Sequence, residues 1–336
     1  MNPISGIPTT VPRRSGWLAP FRTLFCLPLL IGHLASAASS PDNPENSSQT
    51  VDAILAHGVA TGHSDEGAPY ELSFEATLAE TRDWLLKLTY TKLPGKGPIY
   101  MEYASDGKDL YQMTSWPPSY MDAGNADSDV GRVSRGEVPG DAMLVDYLPW
   151  FAFCSGDYLR RRDDGMMKNI FYWMMRTNSL RFEAQFHPAD PQLPKHVKLF
   201  KPGEFQPRRT PRVGEKPLSI RLPKPFHEGH VWLEYLTLST TNFAGRILPA
   251  RFGLKLWELE NSDSGPTLSH SMPYQGRLTS AEPVKVTLPL RPALTSRTVI
   301  VDRRQDAVFL KYHTNQASWL NRSDFAQDAT IQPLRP

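Results

Sequence analysis

The chain has 336 residues, and 37 lysines and arginines stand against 35 aspartates and glutamates, a formal net charge of +2. So close a balance excludes a broad electrostatic drive toward nucleic acid. With only 2 cysteines against 31 prolines and 22 glycines, the chain is rich in turns and is not a disulfide scaffold.

The first 37 residues read as a targeting segment. Arg13, Arg14 and Arg22 form a basic region, Thr23 to Leu34 an apolar run, and Ala35-Ser36-Ala37 a small-residue cleavage site. That order is the pattern of a secretory signal peptide. The apolar run, broken by Pro28, Gly32 and His33, falls short of the roughly 20 residues a bilayer span needs. An uncleaved anchor is the alternative. Gly16 and Trp17 fit poorly with twin-arginine export. The chain is therefore expected in the periplasm or outside the cell, beginning near Ala38 and with no transmembrane segment once cleaved. Cys26 would leave with the signal. Cys154 remains, among Trp150, Phe151, Ala152 and Phe153, where an inert buried thiol is expected.

Residues 38–50 form a polar linker, and 51–314 read as a single antiparallel β domain. The proline-dense stretch 188–225 is where a subdivision would fall, and 315–336 form a tail with room for one short helix. Val51 to His57 predicts a short helix stopped by Gly58. From Tyr70 the period changes to two. Tyr70, Leu72, Phe74, Ala76 and Leu78 alternate with Glu71, Ser73, Glu75, Thr77 and Ala79. Glu80 to Asp83 turns the chain, and Trp84, Leu86, Leu88 and Tyr90 form the next apolar side. Ile99 to Tyr103 and Leu110 to Met113 follow, joined through Asp106-Gly107, a hairpin signal. Four strands with short connections make an antiparallel meander.

Trp116 to Asp141 reads as a long loop. Ala142 to Leu159 has helical spacing, and Pro149 divides it into two short helices, the second stopping near Gly156. Asn169 to Arg176 predicts a strand apolar on both faces, and Leu180 to Phe186 another with clean alternation. Val197 to Phe200, Leu218 to Leu222, Val231 to Thr240, Arg251 to Glu260, Val284 to Leu290, Arg297 to Val301 and Val308 to Tyr312 are further strands. The fold class is mainly β, an antiparallel sheet with a few short helices, and the resemblance described below implies that the sheet is curved into an incomplete β-barrel with the helices packed on its concave side.

Motifs for chemistry are sparse. His57, His63, Asp65 and Glu66 lie close in sequence but lack ligand spacing. His227-Glu228-Gly229-His230 does not space its histidines at i and i+4 and reads as a turn, so no metal is expected. A nucleophile elbow, a phosphate loop and a dinucleotide fingerprint are all missing, so no cofactor is expected and no catalytic residue is assigned. Arg208, Arg209 and Arg212 read as a solvated loop or a site for an anionic partner. Met166, Met167, Met174 and Met175 flank Phe171, Tyr172 and Trp173, which is either plain core or an adaptable apolar surface.

The signal, the short helix at 51–57, the strand meander and the Ser-Asp-Gly-Lys-Asp-Leu-Tyr hairpin at 105–111 together resemble the LolA-like periplasmic proteins. Asn242 to Phe252, reading N-F-A-G-R-I-L-P-A-R-F, resembles their late strand pair, in which a Gly turn precedes an apolar-Pro step. The resemblance implies an incomplete β-barrel closed by helices, whose apolar concavity holds a lipid or a lipoprotein acyl chain. It covers two short motifs and the strand order, and no ligand residue carries over from it.

Alternation puts whole strand faces inside such a half-barrel. The groove candidates are Leu72, Phe74, Trp84, Leu86, Leu88, Tyr90, Trp150, Phe153, Trp173 and Met175. Three function classes stay open. They are a non-enzymatic carrier of an acyl chain, an envelope hydrolase whose histidines and carboxylates meet only in the fold, and a structural or adhesion module. A deep apolar groove, a cleft of converging polar groups and a filled core would distinguish them.

Overall fold

A computed structural model describes residues 49–63, 69–92, 99–115, 129–140, 144–168, 177–205, 219–262, 265–294, 298–305, 308–313, 319 and 332–333. These belong to one compact unit, Ser47–Pro336. The signal segment, the predicted strand at 169–176 with Trp173 and Met175, the arginine cluster at 208–212 and most of the tail lie outside the described residues.

The first strands are β1 (Thr50–His63), β2 (Pro69–Ala79), β3 (Trp84–Lys92), β4 (Ile99–Ser105), β5 (Asp109–Ser115) and β6 (Val130–Arg135). A helical segment follows: α1 (Leu144–Pro149), a π-helical turn (Trp150–Cys154) and α2 (Gly156–Arg160). Then come β7 (Met166–Lys168), β8 (Ser179–His187), β9 (Asp190–Lys201), the short β10 (Glu204–Phe205) and β11 (Ile220–Arg221), and β12 (His230–Phe243). The long β13 (Arg246–Ser262) and β14 (Gly265–Thr287) precede β15 (Val299–Gln305), β16 (Val308–His313) and β17 (Gln332–Pro333). Fifteen strands make one curved open sheet in the order β17-β16-β15-β6-β5-β4-β3-β2-β1-β14-β13-β12-β9-β8-β7, and β10 and β11 pair apart from it. It is an incomplete barrel with short helices on the concave side; the alternation predicted the strands, and the family resemblance implied the incomplete barrel.

The meander registers as the alternation requires. Leu72, Phe74, Ala76 and Leu78 on β2 stand opposite Tyr90, Leu88, Leu86 and Trp84 on β3. Leu86, Leu88 and Tyr90 in turn face Tyr103, Met101 and Ile99 on β4. These side chains share one core with the helical segment. The opposite face carries a second, smaller cluster of Ala104, Tyr111, Met113, Val133, Ile300 and Trp319. Beside it, Arg304 donates from Nε and Nη2 to Asp302 at 3.0 and 2.6 Å, and all of these groups are buried.

Four expectations change. Val51 to His57 is part of strand β1, not a helix. Alanine and leucine suit helices, but β1 is paired with β2 on one side and β14 on the other, and the two ladders override local preference. Gly58 is needed there, because a Cβ would fall 2.1 Å from the Phe74 ring. The long loop at 116–141 contains a strand, β6, and β6 pairs in parallel with β15, so the sheet is not wholly antiparallel. The predicted strand 284–290 is the end of a 23-residue strand that pairs first with β13 and then with β1. Finally, β9 runs through Pro191 and Pro194. It is accommodated by register shifts against β8 around Phe186, where a missing N–H does least harm.

Candidate functional site

The helical segment decides which parts of the concave face are filled. Its spacing predicts two helices divided at Pro149. The structure ends α1 at that proline, inserts the π-helical turn, and starts α2 at Gly156, where a stop was expected. Gly156 is demanded by a neighbour, because a Cβ there would sit 1.7 Å from the carbonyl oxygen of Gln192. α1 lies over β1, β13 and β14, the π-helical turn over β2, β3, β9 and β13, and α2 over β9.

Under α1 the core is closed by polar as well as apolar contacts. Asp146, in the first turn of α1, is fully buried. Tyr90 donates a very short hydrogen bond to Asp146 Oδ1, and Tyr103 donates to Oδ2 at 3.4 Å. Burial and then the Asp146 charge hold the Tyr90 hydroxyl well above the usual tyrosine range, so it stays a donor. Trp150 donates from Nε1 to the Glu137 carbonyl at 3.1 Å, and Phe151 stacks on Tyr235 with centroids 5.4 Å apart.

Of the ten groove candidates, Leu72, Phe74, Leu86, Leu88, Tyr90 and Trp150 lie in this interior, each 2 % exposed or less. Trp173 and Met175 lie outside the described residues. Trp84 and Phe153 line a cleft of about 500 Å³. The cleft opens where the helical segment leaves the sheet. Its other walls are the β2–β3 turn (80–83), the start of α2, the first residues of β9 and the β12–β13 hairpin from Arg246 to Pro249. Phe153 makes the bridge to the core, with its ring 5.4 Å from Phe74 and 5.7 Å from Phe252.

The floor is apolar, from Trp84, Phe153, Leu193 and Leu248, and the rim is charged. Asp157 draws in Arg82 at 3.2 Å and Arg160 at 3.1 Å. Burial pushes the Asp83 carboxyl up, and a 2.7 Å hydrogen bond donated by Thr81 partly opposes it. Arg246 makes no ion pair among the described residues. Cys154 lies against the same floor, but burial pushes its thiol well above the ordinary range, so it is poorly nucleophilic there. The space and the mixed lining suit a ligand with an apolar body and a polar end, since ligand sites span ~300–1,000 Å³ with a few polar groups.

The histidines named in the sequence do not converge. His57 lies 3.8 Å from Glu75, and His227 lies 3.7 Å from Glu228. Sequence reading missed His196, which makes a short contact with Glu234 on the outer face, where Trp257 also donates to Glu234 at 3.2 Å. Among the described residues, no group of three or more His, Cys, Asp and Glu could hold a metal ion. No helix among them is long and apolar enough to cross a membrane.

The sequence matches no protein-family profile and no curated protein. Two solved structures are similar to it. One is a DUF1329 family protein from Desulfovibrio piger, with a TM-score of 0.29 and 10% identity over 71% of this chain and 87% of that one. The other is a putative outer membrane lipoprotein-sorting protein domain from Vibrio parahaemolyticus, with a TM-score of 0.28 and 8% identity over 69% of this chain and 85% of that one.

Proposed function

We propose that this is an exported, non-enzymatic binding protein that holds an acyl chain or similar amphiphile in the cleft beside the helical segment. The observation that carries this reading is the cleft's apolar floor of Trp84, Phe153, Leu193 and Leu248 beneath a charged rim, at the place where the helical segment leaves the sheet. An apolar body would lie on the floor with its polar end at the rim, beside Arg246. Export is supported by the order of basic, apolar and small residues from 13 to 37. Sequencing the N-terminus of protein recovered outside the cytoplasm should read from near Ala38, and an intact Met1 would remove the export reading.

The binding reading is tested at Ile247, a half-buried residue of the cleft wall. Ile247→Asp places a carboxylate where water can still reach it, so the fold should survive. Titration with a fluorescent fatty acid should show affinity falling about tenfold or more, as expected when a charge replaces about 1.5–3 kcal/mol of apolar contact. Undiminished binding by a folded Ile247→Asp protein would sink the proposal.

A further inference from the structure

A second cleft, of about 890 Å³, shares no lining residue with the first. It is bounded by the ends of β8, β9 and β12 and by the β10–β11 pair. Two groups able to carry positive charge meet in it as a cross-strand pair, Lys201 on β9 and His230 on β12. Such a pairing of like groups is unfavourable unless something negative lies between them. Two carboxylates, Glu204 and Glu228, also line the cleft, and each has a partner of its own. Glu204 accepts from Ser219 at 2.6 Å and lies 3.7 Å from Arg221, while Glu228 lies 3.7 Å from His227. Among the described residues Lys201 meets no carboxylate, and its ammonium sits 4.5 Å from the centroid of the Phe205 ring. His230 is 93% buried (7 % exposed), and its Nδ1 has no hydrogen-bond partner among the described residues. The Arg181 guanidinium carbon lies over the Phe200 ring, 3.6 Å from its centroid, on another wall, so aromatic and cationic groups alternate around the space.

We propose that this cleft binds an organic oxyanion, a carboxylate or phosphate group carried on an apolar body, with Lys201 as its counter-ion and His230 beside it. Burial pushes the Lys201 ammonium below its ordinary range. Burial, and then the Lys201 charge, push His230 down as well. Both cationic forms are thus disfavoured where no negative charge is supplied, and a bound oxyanion supplies it. The Phe205 and Phe200 rings offer the apolar body a surface.

Calorimetric titration of the whole exported chain with phenyl phosphate tests this, with inorganic phosphate and phenol separating the charge from the apolar body. Phenyl phosphate should bind more tightly than either. Lys201→Met, which keeps the apolar stem, should weaken it at least tenfold. Lys198→Met, on the same strand but outside the cleft, should leave it unchanged. Absence of binding to the wild-type protein, or equal binding by Lys201→Met, overturns the proposal. Should Lys201→Met fail to fold, the His230 ring resonances of the wild-type protein decide. Saturating phenyl phosphate should raise the His230 pKa, and a pKa that stays put overturns the assignment.

Discussion

Strand β3 runs through two unlike regions on a single face. Leu86, Leu88 and Tyr90 lie in the interior under the helical segment, whereas Trp84, two residues before Leu86 and part of the same core, also borders the cleft. Intrinsic hydrophobicity does not separate them, since all four are large and apolar and all are 5 % exposed or less. What separates them is the cover. α1 is anchored into the sheet by Asp146 between two tyrosine hydroxyls, and the aromatic π-helical turn fills the space beside it. Past Cys154 the chain swings over β9, where Gly156 is held against the Gln192 carbonyl, and the cleft opens at that edge of the core. A strand face therefore reports that it is apolar but not whether it is occupied. The occupant is decided by a segment distant in sequence.

The sharpest way to break this comparison is to place a charge under the lid. Leu86 is fully buried between Ala76 and Tyr103 in the ladder, so Leu86→Asp puts a carboxylate where neither water nor a cation reaches it. The cost is on the order of several kcal/mol, a large part of a domain's total stability of about 5–15 kcal/mol. Leu86→Asp should be unfolded or insoluble by circular dichroism. A folded Leu86→Asp protein would mean that this face is wet and that the two regions do not differ.

Removing the anchor is the next largest change. Asp146→Ala leaves the Tyr90 hydroxyl without its acceptor and takes from the Tyr103 hydroxyl its carboxylate acceptor, leaving it the Met101 sulfur at 3.8 Å, at about 1–3 kcal/mol for each. Chemical denaturation should show a loss of about 2–5 kcal/mol, partly recovered by Asp146→Asn, which keeps an acceptor oxygen. Fatty-acid binding by the folded fraction should be unaffected, because neither hydroxyl lines the cleft. Wild-type stability in Asp146→Ala would show that the lid does not depend on this carboxylate.

The same contrast marks what could be read from the residues. The meander was legible because a buried sheet face leaves a period of two, and Asp106-Gly107 marks its turn unambiguously. The helical segment was legible from its spacing, though not the π-helical turn, which depends on contacts with β2, β3, β9 and β13. Strand β1 was not legible, since its alanine-containing run acquires its strand character only from the ladders on either side. Trp84 and Phe153 could be named because periodicity puts them on the concave side. The rest of the cleft could not, because residues 80–83, 190–193 and 246–249 are unremarkable turn and strand-end sequences that become a wall only when the sheet curls. The Asp146 anchor was invisible for a related reason: an aspartate near a helix start reads as a cap or a solvated charge until two tyrosines from other strands are brought to it.

The smallest expected effect falls on the rim. Arg246 is half-buried at the first residue of β13, and among the described residues it forms no ion pair, unlike Arg82 and Arg160, which are held by Asp157. Arg246→Ala should therefore change stability by no more than about 0.5 kcal/mol, the usual range for a surface position without a structural partner. If the polar end of an amphiphile lies beside Arg246, losing the guanidinium should weaken a fatty-acid probe by about three- to tenfold. That corresponds to an exposed charge contact of about 0.7–1.4 kcal/mol. Binding of the uncharged alcohol of the same chain length should change far less, and raising the salt concentration should shrink the difference between the two probes. Equal losses for the acid and the alcohol would assign Arg246 to packing by its stem and would place the polar end of the ligand elsewhere on the rim.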